Sequence, residues 1–245
     1  MPAGADGARR ALLARLIDHA PLFPPAALPL AEALEEHREA RESAHGWLVR
    51  RFVCPASTLS SLDGEPLELS VVLDAEADLD DPRVASVEVP RDRGALTAVR
   101  VETYVEAATD AMPNCAPRMA ADGACAKIRC GPVPPPIDEL VAAIRAFRQH
   151  SVPFKATAGL HHAVRQDGAH GFLNLLAAAI FGDEEPALAE EDAAAFSLDE
   201  DAFGWRDRTA SNSEIARGRE LFVAFGSCSF PEPVEELQAL GFLSA

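Results

Sequence analysis

The sequence predicts an α/β protein, an incomplete or irregular β/α (TIM-like) barrel with an N-terminal helical segment and a C-terminal closing helix. Three observations lead there. Six short β-prone runs follow one another between residues 48 and 158, each bounded by Gly, Pro or Asp. Residues 124–158 read as a strand, a proline-led helix and a second strand, the passage that builds parallel sheets. A length of 245 residues is near that of a complete eight-stranded barrel, but only six strand candidates are visible.

In order along the chain, Arg9 to Ala20 carries helical apolar spacing at Leu12, Leu13, Leu16 and Ile17. Residues 21–29 form a proline-rich break, and Leu30 to about Ser43 is a charged helix with a narrow apolar stripe. The six strand candidates are Leu48–Cys54, Leu67–Asp74, Arg83–Val89, Ala98–Glu106, Ala124–Cys130 and Pro153–Ala158. The helix between the last two shows Leu140, Val141, Ile144 and Phe147 on one stripe. Gly171 to Phe181 is apolar all round and predicts a buried helix. A short hairpin is expected within 193–205, a helix over Asn212 to Phe225, and a last helix capped by Ser229 with Glu232 three residues on. No linker divides the chain, so one domain is expected over 1–245. It has an N-terminal helical segment (1–45), a barrel-like core (46–182) and a C-terminal helical part (183–245).

Acids outnumber bases 39 to 22, a formal charge of −17. Such a surface disfavours nucleic acid and anionic membrane, both of which call for basic patches. An acidic exterior still allows a basic pocket and a small anionic partner; homo-oligomer formation stays open. No apolar run approaches the roughly 20 residues that span a bilayer, and Asp18 and His19 interrupt the N-terminal apolar stretch, so no signal peptide is read. Five scattered cysteines without CxxC spacing suit reduced thiols and a cytoplasmic location. Cys228, just before a helix, could be activated by the helix dipole; an ordinary buried thiol is the simpler reading.

Strand alternation points to chemistry. Arg100, Glu102, Tyr104 and Glu106 share one face of their strand; Lys127 and Arg129 share one face of the next; Lys155 and Thr157 do so on the one after, and Glu88 joins them from an earlier strand. In a barrel the apolar face meets the outer helices, which turns these polar faces inward, where unpaired charge is costly. In an open sheet the same pattern marks only a wetted face. The loop after Lys155 adds His161, His162, Arg165 and His170 at the end of a strand where barrel active sites form. The candidate catalytic residues are Lys155, Glu102, Glu106 and His161. The candidate substrate-binding residues are Lys127, Arg129, Tyr104, Thr157, His162 and Arg165. The cofactor stays unknown, since no GxGxxG or P-loop motif stands at a strand–helix turn. A divalent metal is the one the residue types allow, on His161 or His162 with Glu102 and Glu106.

The segment Lys155-Ala-Thr-Ala-Gly159 resembles the stretch carrying the Schiff-base lysine of deoxyribose-phosphate aldolases. The resemblance implies a class I barrel aldolase with Lys155 as amine nucleophile and Lys127 as the neighbouring cation that lowers its pKa. The following Leu160-His161-His162 departs from that pattern. Residues 16–26, 155–162 and 226–237 are similar to blocks of an uncharacterised bacterial β/α-barrel-like family, which implies a barrel and no activity. Three functions therefore stay open: a lyase or isomerase for a small anionic carbonyl or carboxylate metabolite, a divalent-metal-dependent barrel enzyme, and a non-catalytic protein that binds a small anion.

Overall fold

A computed structural model describes residues 7–62, 64–76, 78–91 and 101–244. Arg100 and the start of the expected strand at Ala98 lie outside the described residues. Eight parallel strands close into a barrel. They are β1 (Ile17–His19), β2 (Val49–Pro55), β3 (Leu69–Val72), β4 (Val84–Val89), β5 (Glu102–Glu106), β6 (Cys125–Arg129) and β7 (Phe154–Thr157), then, after a small antiparallel sheet, Phe222–Ser227. That sheet contains β8 (Phe196–Leu198), β9 (Ala202–Trp205) and β10 (Arg208–Ser211), so the last barrel strand is β11. The expected hairpin is β8–β9.

The ring is complete because two further strands join the six visible in the sequence. β1 follows helix α1 (Gly7–Leu13) after three residues, and β11 follows α7 (Asn212–Leu221) without a break. Arg9–Ala20 and Asn212–Phe225, each expected as a single helix, are both corrected to helix-then-strand. The barrel therefore draws on residues outside 46–182, and β1 pairs with both β2 and β11 to shut it. Its connections are irregular. Helix α2 (Leu30–Glu42) links β1 to β2, α3 (Met112–Asp122) links β5 to β6, and α4 (Ile137–His150) links β6 to β7. A 3-10 turn, Ala56–Leu62, takes the place of a helix between β2 and β3. From β7 to β11 the chain runs through α5 (Phe172–Phe181), α6 (Glu184–Leu188), the small sheet and α7. Helix α8 (Pro231–Ala239) follows β11. Ser229 Oγ accepts from the Glu232 N–H at 3.4 Å, as the capping spacing suggested, although the helix begins one residue later than a Ser229 cap would give.

Local chemistry sets these ends. Helix α4 starts after Pro136, with Asp138 and Glu139 in its first turn and Arg148 and His150 in its last, complementing the helix dipole. Its stripe of Leu140, Ile144 and Phe147 is fully buried, and Phe147 meets Phe154 of β7. Phe147, Phe154 and Phe222 form a row of mutually tilted rings with centroids 5.4 and 5.1 Å apart, tying α4 to β7 and β11. The apolar core thus lies outside the barrel, between strands and helices, and the lumen is left for polar side chains.

Helix α2 docks on the barrel through two buried histidines. His19 and His37 stack with centroids 5.4 Å apart and share a hydrogen between their Nδ1 atoms at 3.2 Å, while His19 Nε2 faces Glu36 at 3.2 Å. Burial first, and then the neighbouring His19 and Arg41, push His37 down to about 3. The unfolded chain binds the proton near 6.5, so between about 6.5 and 3 it holds more protons than the fold. His37 stabilisation is therefore complete above 6.5 and is lost as pH falls towards 3, by about 1.4 kcal/mol per pH unit at most. Urea unfolding at pH 7.5, 6.5 and 5.5 checks this: His37→Gln should flatten the acid slope relative to wild type. An unchanged slope would assign the acid sensitivity to the carboxylates.

Candidate functional site

The lumen is charged from end to end. At its amino-terminal end the β1–β2 pairing slips, Ile17 facing Val49 but His19 facing Phe52. This bulge lets the consecutive Arg50 and Arg51 both reach Glu102, Arg50 Nη2 at 2.8 Å and Arg51 Nη1 at 2.5 Å. Arg50 Nη2 also donates to the Tyr104 hydroxyl at 3.1 Å. Burial pushes the Tyr104 phenol well above its ordinary value, so it stays neutral. Glu102 and Tyr104 thus form a structural floor and do not reach the barrel mouth, which corrects their assignment as base and substrate contact. Tyr104 does touch the centre indirectly: its ring lies 5.2 Å below Lys155 Nζ.

Midway up sits the centre of the site. Register places Lys127 directly beside Lys155 on β6 and β7. Lys155 Nζ donates to Asp18 Oδ2 at 2.5 Å and to Glu88 Oε1 at 2.7 Å. Lys127 Nζ lies 2.9 Å from Glu88 Oε2 and 3.1 Å from Glu106 Oε2. Glu88 therefore stands between the two ammoniums, and Ser70 Oγ donates to its Oε1 at 2.8 Å. Asp18 and Lys155 are fully buried, Glu88 and Lys127 nearly so. Burial alone would raise the Glu88 carboxyl; Lys127 and Lys155 outweigh it and hold it well below the usual carboxylate range. Burial would lower Lys127, but Glu88 and Glu106 outweigh it and keep Lys127 protonated. Asp18 Oδ1 is a buried acceptor with no hydrogen-bond partner among the described residues. The wetted-sheet reading of these strands fails, because their polar faces are enclosed.

Above this layer a cavity of about 630 Å³ opens at the carboxyl ends of the strands, with Lys127, Lys155 and Glu88 at its floor and Arg129, Thr157 and His161 in its wall. This is the end of a barrel at which active sites form. Three of the six expected substrate contacts, Tyr104, His162 and Arg165, do not line it, and neither does Glu106, which stands against Lys127. His162 turns to helix α8, its Nδ1 3.3 Å from Glu236 Oε1, and Arg165 meets His170 Nδ1 at 3.2 Å and Glu191 at 3.4 Å. His161 lines the cavity while its Nδ1 faces Glu232 at 3.2 Å. The suggested metal ligands are likewise dispersed: Glu102 is on the arginines, Glu106 on Lys127 and the histidines on α8. No three His, Cys, Asp or Glu side chains converge among the described residues. Cys228 lines the cavity too, but burial pushes its thiol up rather than down.

Asp18 escaped the sequence reading because its strand is three residues long and hides in helical spacing. Its signal was the acidic side chain breaking an apolar run. Arg50 escaped because only the bulge brings it inside. A further feature is plain in the sequence once the site is known: Lys127 and Lys155 are the only two lysines in the chain, all other basic residues among the 22 being arginines. No helix is long and apolar enough to cross a membrane among the described residues. The chain matches no protein-family model and no curated protein.

Proposed function

We propose that the barrel mouth is the active site of a lyase or isomerase, aldolase-like in chemistry, acting through lysine on a small anionic carbonyl metabolite. The observation that carries this reading is the placement of both lysines of an arginine-rich chain side by side beneath the cavity. An arginine would serve for charge, ion pairing and anion binding, and would do so better; it cannot be deprotonated to a nucleophile. Lysine can, and a buried one beside carboxylates has somewhere to send its proton.

Lys155 is the nucleophile in this reading and Lys127, held protonated, the electrostatic partner. The Lys155 ammonium passes one proton to Asp18, and the free amine attacks the substrate carbonyl carbon. Proton transfer from nitrogen to oxygen gives the neutral carbinolamine. Asp18 then returns its proton to the hydroxyl, the C–O bond breaks with loss of water, and the protonated C=N bond remains. That cation is the electron sink for breaking the adjacent C–C or C–H bond, with His161 in the cavity wall as the group that moves a proton. The small-anion binding alternative needs the same cavity and none of this covalent chemistry.

Borohydride separates the two. Incubation with pyruvate, glyceraldehyde 3-phosphate and phenylpyruvate, followed by reduction and peptide mass mapping, should place one stable adduct on Lys155. With only two lysines the map is unambiguous. An adduct on Lys127 would exchange the roles of the two amines. No adduct on either lysine, with binding retained, would leave an anion-binding protein.

A further inference from the structure

The cavity is two-sided, and the sides differ in chemistry. Its cationic groups, Lys127, Arg129 and Lys155, and the Thr157 hydroxyl come from β6 and β7, and the one further hydroxyl of the lining, Ser227 at the end of β11, donates to the Ser229 carbonyl at 2.6 Å. Across the lumen β2 and β3 contribute Val53 and Val72, and the β1–α2 loop contributes Phe23. Arg129 sits at the rim, exposed, with its guanidinium in no hydrogen bond or ion pair among the described residues. The two lysines below it are both paired with carboxylates. The cavity thus has one uncommitted cation on one wall and no side-chain hydrogen-bonding group from Val53, Val72 or Phe23 on the other.

Resting on the Schiff-base reading of the same site, we infer that the ligand is a carbonyl compound with a single carboxylate and an apolar body, such as an oxo acid with a branched or aromatic side group. The planar guanidinium of Arg129 matches a carboxylate through two parallel hydrogen bonds. The body then lies against Val53, Val72 and Phe23, which stabilise it by removing apolar surface from water. A polyhydroxylated sugar phosphate fits poorly. Its hydroxyls would lose water against that wall and find no partner, and such loss discriminates strongly. A phosphate dianion would also meet one free guanidinium while Glu88 holds negative charge on the floor.

Calorimetry on the full chain, without borohydride, tests this. Phenylpyruvate and 2-oxoisovalerate should bind about tenfold or more tightly than pyruvate, and more tightly than glyceraldehyde 3-phosphate or inorganic phosphate. Arg129→Gln, at an exposed rim position, should keep the melting temperature and weaken both apolar oxo acids by about tenfold or more. Val72→Thr, near in shape, should narrow the gap between phenylpyruvate and pyruvate. Tighter binding of the phosphates, or an unchanged affinity in Arg129→Gln, would overturn the inference. Its failure is distinct from that of the Schiff-base reading. Apolar oxo acids that bind without giving a reduced adduct sink the chemistry and keep the ligand class. Adducts that form equally with all the carbonyl probes, with equal affinities, do the reverse.

Discussion

Lys155→Met is expected to lower the unfolding free energy at pH 7 by about 3–5 kcal/mol, the usual cost of breaking a buried ion pair from one side. Methionine matches much of the stem volume, so the loss is electrostatic. Glu88 keeps Lys127 and Ser70, but Asp18 keeps only Arg50 Nη1, 3.4 Å from its Oδ2, and its Oδ1 had no partner at the start. The stranded charge is therefore on Asp18. Asp18→Asn in the Lys155→Met background should recover a large part of the loss. Urea titrations of wild type and the two variants measure this. A deficit that is small, or that Asp18→Asn does nothing to recover, would show that the pair carries little energy and that Asp18 is not the stranded group.

The same layer shows what the sequence made legible. Alternation along β5, β6 and β7 separated core-facing Val105, Ile128 and Ala156 from Lys127, Arg129, Lys155 and Thr157, because strand geometry fixes which residues share a face. The crossover through α4 was legible from its prolines, first-turn acids and apolar stripe. Closure was not. Ile17–His19 comes three residues after a helix and Phe222–Ser227 directly after one, with no Gly or Pro between, and runs this short and this largely buried give no period by which to tell strand from helix. Height within the barrel was also hidden. Alternation tells inward from outward, but only register tells that Glu102 lies at the amino-terminal end with Arg50 and Arg51, whereas Glu106 stands beside Lys127. The loop histidines failed as a group because neighbouring residues point apart: His161 reaches the cavity, and His162 is held on α8 by Glu236.

Glu88→Gln should be about as costly as Lys155→Met, again about 3–5 kcal/mol at pH 7, and its cost should depend on pH. Glu88 is the carboxylate common to both lysines, bonded to Lys155 through one oxygen and to Lys127 through the other. An amide of the same shape turns an NH₂ donor towards one ammonium and leaves the two cations as side-by-side neighbours with one carboxylate each, Asp18 and Glu106. In wild type Lys127 is raised, so it contributes stability that is present below its unfolded pKa and lost as pH rises through its folded value. Without Glu88 that pKa falls, and the folded variant sheds a proton that the unfolded chain still binds. Its deficit should therefore shrink as pH rises from 7 to 9.5, where that of Lys155→Met should not. The double variant should cost less than the two single losses added together, because the pair they break is partly the same. Chemical denaturation across this range, with both single variants and the double, reads out the sign directly. Parallel pH slopes for Lys155→Met and Glu88→Gln would mean that the lumen is not an alternating array of charges but a general defect in packing.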